Sequence, residues 1–119
     1  MRSIKLIEVK SELGAGTRGA SLGIDAMKIA SIDLESDYFA RYEAVSVKTD
    51  NSPLFNGFIS PSAKFINAIL SVEKRVCEAV AGTLEEKSFP IILAGDHSTA
   101  TGSIAGVKMH FADKRLGDR

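Results

Sequence analysis

The chain has 119 residues, of which 45% are hydrophobic and 25% charged, and its 15 Lys+Arg equal its 15 Asp+Glu. That suits one globular domain spanning residues 1–119, carries no basic excess for gripping nucleic acid, and contains no apolar run near the roughly 18 residues of a membrane span. The single cysteine, Cys77, excludes an internal disulfide and a thiolate zinc cage, and charge breaks up the basic start before a signal-peptide core can form, so a cytoplasmic protein is expected.

Ile4–Val9 is short and β-branched and reads as a strand. Ser11 to Gly23 follows as a glycine-rich loop, then a short helix from Ile24 to about Ser31. Tyr42–Lys48, alternating around Val45 and Val47, is the second strand. Thr49 to Ser60 is loop. Ser60-Pro61 offers an N-cap serine and a first-turn proline for a long helix. Along it Ile66, Ile69, Leu70, Val76, Cys77, Val80 and Leu84 fall within roughly 120° of arc, one apolar stripe expected to be buried. Glu85, Glu86 and Lys87 mark its solvated end. Ile91–Ala94 has no polar alternation, as expected of a strand covered on both faces. A last helix runs from about Thr99 to His110, with Ile104, Val107 and Phe111 inward. Strands alternating with helices predict an α/β fold with a parallel sheet and right-handed crossovers.

Two segments carry chemistry. Gly14-Ala-Gly16-Thr-Arg-Gly19 has the glycine spacing of a dinucleotide loop. However, Lys10 to Leu13 separate it from the strand and Gly23 delays the helix, so its amides would not converge on one helix N-terminus. A structural or substrate-lining loop is the alternative reading, with Arg18 as its basic side chain. Gly95-Asp96-His97-Ser98 sits at the carboxyl end of a strand, where open α/β sheets place ligands. His97 has the chemistry of a metal ligand and Asp96 that of its orienting partner; an ordinary loop histidine is the competing reading. Ser98 lacks the G-x-S-x-G context of a nucleophile elbow. His110 reads as a solvated histidine near a helix end, and Cys77 as a small core side chain.

Leu93-Ala-Gly-Asp-His-Ser-Thr-Ala-Thr-Gly-Ser-Ile-Ala-Gly106 resembles the first metal-binding segment of the arginase (ureohydrolase) family. Leu13 to Met27 resembles that family's first loop and helix, and Asp50-Asn-Ser-Pro53 a further loop. Ala94 stands where the family usually has glycine. The Leu-Gly-x-x-x-Arg-Gly loop lies closer to arginase than to agmatinase, with formiminoglutamase the other relative. The resemblance implies two Mn(II) ions bridged by a hydroxide that attacks a guanidinium carbon and releases urea. It makes His97 one metal ligand, and implies five further ligand side chains, a catalytic histidine and a substrate pocket outside these residues.

The implied architecture is a three-layer αβα arginase-like fold cut to about its first three strands. Such a piece is expected to be inactive alone. The first strand would lie between the second and third, leaving Ile91–Ala94 as an apolar edge, so a homo-oligomer joined there is expected. Two other readings are a non-catalytic α/β module for self-association or partner binding, and a nucleotide-binding module using Gly14, Gly16 and Gly19.

Overall fold

β1 (Ser3–Val9) forms the middle of a three-stranded parallel sheet, in the order β2-β1-β3, in a computed structural model that describes residues 3–55 and 65–112. β2 is Glu43–Ser46 and β3 is Ser88–Ala94, with β1 in register from Ser3 opposite Ser88 to Val9 opposite Ala94. Among the described residues four α-helices, α1 (Gly23–Asp33), a short α2 (Tyr38–Arg41), α3 (Ile66–Glu85) and α4 (Thr99–Phe111), and two 3-10 helices, Ala20–Leu22 and Ser52–Phe55, complete the order. The parallel α/β architecture and the strand order agree with the reading of the sequence. Ser60 and Pro61 lie outside the described residues.

Alternation along β1 divides its side chains between two helical layers. Ile7 and Val9 enter the core with Val47 and with Val72, Val76 and Val80 of α3. Glu8 points the other way and is buried against Lys28 of α1, at 2.8 Å. Lys5 is also buried, its ammonium held by Glu86 at 2.6 Å and by Glu43 at 3.7 Å. Glu86 is solvated as expected, its side chain 58% exposed, and its carboxylate still reaches Lys5 to neutralise that cation.

Three expectations need correction. On α3 the buried residues are Val72, Glu73, Val76, Val80 and Thr83, whereas Ile66 and Leu70 are exposed and Cys77 is only half-buried. On α4 the buried residues are Thr99, Gly102 and Gly106, while Ile104, Val107 and Phe111 are exposed. α4 packs through its glycines against α3, so its large apolar side chains project beside the sheet. β3 lies at the sheet edge and is half-buried along most of its length, because only β1 pairs with it among the described residues. No helix among the described residues is long and apolar enough to cross a membrane.

Candidate functional site

The chain leaves β3 at Ala94, turns through Gly95 to Ser98, and enters α4 at Thr99. Asp96 organises that turn. Its Oδ1 accepts from the Ser98 amide at 2.8 Å and from the Ser98 hydroxyl, and its Oδ2 accepts from the Gly14 amide at 3.2 Å. The Thr99 hydroxyl donates to the Asp96 carbonyl at 3.1 Å. Asp96 thus ties the turn to the glycine-rich loop 82 residues away in sequence. Gly14 is required at that junction. A Cβ there would lie 2.9 Å from Asp96 Oδ1 and from Ser98 Cβ and Oγ.

His97, at the crest of the turn, is exposed. It lines a groove of about 530 Å³ with Ile92, Asp96, Thr99 and Ile104 among its other walls. The Asp96 carboxylate bonds described above all go to the backbone and to Ser98, so any support it gives His97 runs through the main chain on either side.

The glycine-rich loop is held from within by Glu12. Its carboxylate accepts from the Gly19 amide at 2.6 Å and from the Ser21 hydroxyl at 2.5 Å. Arg18 donates to the carbonyls of Ala15 at 2.7 Å and Glu12 at 3.4 Å, so it is a strut of the loop. With Gly14 and Gly19 bonded to carboxylates, these amides form no phosphate cradle. The Ser21 and Gly19 bonds hold the Glu12 carboxyl below its usual 4.5. A lowered pKa means its support is present above the unfolded value and is lost as pH falls through the folded one. Glu12→Ala should therefore speed trypsin cleavage after Arg18 at neutral pH. Amide exchange at Gly19 should show the same loosening in the unmodified chain below about pH 4.5; equal Gly19 protection in both proteins at neutral pH would contradict this.

Two contributors left no motif in the sequence. Asn51 accepts from the Glu12 amide at 2.9 Å and donates to the Lys10 carbonyl at 3.0 Å, bracing the loop where it leaves β1. Glu73, buried on α3, accepts from the Gly102 amide in the first turns of α4, while its Oε1 is enclosed without a hydrogen-bond partner. Burial pushes the Glu73 carboxyl up, and the nearby Asp96 charge adds to this against the Gly102 bond. The signal for Glu73 was an acidic residue set between Val72 and Val76 on an apolar stripe.

His110 is not solvated. Its side chain is 6% exposed and Nδ1 lies 2.8 Å from Glu85 Oε2, closing α4 against the end of α3. Among the described residues no three His, Cys, Asp or Glu side chains gather as a metal would need. The site thus provides one exposed imidazole on a well-braced turn.

The family model for the Arginase family matches residues 2–117. The arginase of Bacillus subtilis (strain 168) is 30% identical over 112 residues, which cover 92% of this chain and 37% of that protein. The arginase of Bacillus caldovelox is 28% identical over 119 residues, covering 98% and 39%. The solved native structure of Bacillus caldovelox arginase superposes with a TM-score of 0.71 at 26% identity, over 92% of this chain and 38% of that one. A Bacillus subtilis arginase structure gives 0.68 at 29% identity, over 92% and 36%. The chain spans little more than a third of the length of these relatives.

Proposed function

From the premise that the chain belongs to the arginase family, we propose that its residues form the amino-terminal part of a manganese-dependent hydrolase of guanidino compounds, with His97 as a metal ligand. The substrate class is arginine or a related linear guanidine, with urea as the product. The observation that carries this reading is the place of His97. It stands exposed at the carboxyl end of β3, in the groove, on a turn that Asp96 holds from both sides. A ligand imidazole needs an accessible ring and a held backbone, and the reading is supported by the exposure of His97 and by the Asp96 hydrogen bonds across its turn.

Bound manganese would supply the Lewis acidity that brings the pKa of water toward neutrality and polarises the guanidinium. The donor set suits that group in kind, since imidazole and carboxylate oxygen are ligands manganese accepts. It does not suit it in number. Asp96 is engaged by three donors, and no group of three His, Cys, Asp or Glu side chains that could hold a metal gathers among the described residues. A hard cation is held mainly by the charge of several oxygen ligands, so one imidazole binds it weakly. Residues 1–119 by themselves should therefore release no urea from arginine.

The test is a manganese titration followed by electron paramagnetic resonance. Weak binding by the 119-residue chain, lost in His97→Ala and kept in His110→Ala, is the expected result. Tight stoichiometric binding, or binding indifferent to His97→Ala, would sink the assignment. Urea release that scales with the chain and disappears in His97→Ala would overturn the expected inactivity.

A further inference from the structure

The sheet's other edge is β2. Among the described residues it pairs only with β1, and all of it but Val45 is exposed. The Val47 amide donates to the Glu8 carbonyl at 2.9 Å, so alternation turns the amides and carbonyls of Ala44 and Ser46 outward. Ala44-Val-Ser46 carries neither the charge nor the proline with which native edges are guarded. α1 borders this edge. Ile24, Lys28 and Ser31 turn toward the sheet, which sets Ile29 and Ile32 about a quarter-turn round the helix, and a right-handed crossover points that flank over β2. The two side chains are 64% and 73% exposed.

Charge divides the edge lengthwise. Lys10 pairs with Asp25 and Lys28 with Glu8, so α1 starts beside the strand ends and finishes, at Asp33, beside the strand beginnings. There Asp37 and Arg41 pair with each other at 2.6 Å, and Asp33, Glu35 and Glu43 leave the beginning of β2 acidic. Its far end is basic. Arg75 donates to the Lys48 carbonyl at 3.2 Å beside the Lys48 ammonium, while the neighbouring Asp50 carboxylate accepts from the Ser52 amide.

We infer that this edge binds a second copy of the chain, the two β2 strands running antiparallel about a twofold axis at Val45. Under that axis Ala44 stands opposite Ser46 of the second copy, and each such pair exchanges both of its outward hydrogen bonds. The two three-stranded sheets become one. α1 meets its counterpart over the join, through Ile29 and Ile32, and the acidic beginning of each β2 lies on the basic end of the other. The twofold fit selects the occupant. A foreign strand would meet the same amides, but a second copy also presents the same charges in reverse order and an equal apolar flank. None of this draws on the manganese assignment.

Sedimentation equilibrium of the 119-residue chain should show a dimer at about 100 μM that dissociates on dilution, as suits a small interface. Ser46→Pro removes only an outward amide, which an edge strand tolerates, and should weaken the dimer about tenfold or more. Ile32→Glu should do the same by setting two carboxylates together across the axis. Lys48→Glu, which sets acid against acid, should weaken it severalfold. Ile104→Glu, on an α4 side chain 68% exposed beside β3, should leave it unchanged. Circular dichroism checks that each variant folds, and Ile32→Glu carries the test if Ser46→Pro does not. A monomer at about 100 μM would overturn the inference. So would a dimer indifferent to Ser46→Pro and Ile32→Glu, or one lost in Ile104→Glu.

Discussion

Gly106→Ala should destabilise the protein by about 1–3 kcal/mol, whereas Gly82→Ala should stabilise it by about 0.5–1 kcal/mol. The same methyl group is added to a helix in both, and the intrinsic gain over glycine is the same. The surroundings decide the sign. At Gly82 on α3 a Cβ meets nothing within 4 Å. At Gly106 it would lie 2.6 Å from the Cys77 carbonyl oxygen and 2.7 Å from Val80 Cβ. The obstacle is backbone and the root of a core side chain, neither of which can swing aside, so α4 must lift from α3. Gly102, one turn earlier, stands equally close to the Glu73 carbonyl, at 2.6 Å. A lift at either point would loosen the helix that starts just after His97. Chemical denaturation of the three proteins gives both signs in one experiment; stabilisation by Gly106→Ala would show that the two helices are not in this close contact.

That contact also explains where the sequence misled. Its apolar periodicity placed Ile104, Val107 and Phe111 inward, because hydrophobic patterning assumes the largest apolar side chains face the nearest neighbour. Here the neighbour is reached through glycines, which carry no hydrophobic signal, and the large side chains aim at a place beside β3. On α3 the stripe was legible at Val76 and Val80, which join the core, but wrong at Ile66 and Leu70, which are exposed. The order β2-β1-β3 was implied by the family resemblance, whereas the parallel alternation of strands and helices and the position of His97 at a strand's carboxyl end were readable from short-range patterning and general α/β topology. Asn51 and Glu73 were not. Their partners lie 39 and 29 residues away, and only the folded backbone brings them together.

Glu73 gives the second large effect, a dependence of stability on pH. Glu73 is 8% exposed and its carboxyl accepts from the Gly102 amide, with the Asp96 charge in the turn before α4 acting on it. Burial raises its pKa from the usual 4.5, so near and above that value the folded chain holds this proton more tightly than the unfolded chain. For an acid shifted upward the sign is fixed: stability is lost as pH rises from the unfolded pKa through the folded one, and above both the cost is constant. The slope within that window reaches at most about 1.4 kcal/mol per pH unit. Glu73→Gln keeps a carbonyl oxygen for the Gly102 amide and removes the ionisation. Denaturation measured from about pH 4 to about pH 8 should show the variant gaining on the parent as pH climbs above 4.5, then running parallel to it. The His110–Glu85 pair is present in both proteins and cancels in the difference. Parallel curves throughout would mean that Glu73 ionises as freely in the folded chain as in the unfolded one. The difference should also reach the His97 turn, because the Gly102 amide that donates to Glu73 belongs to the first turns of the helix that follows it. Above the window the parent holds a buried carboxylate there, acted on by the charge of Asp96, which braces that turn.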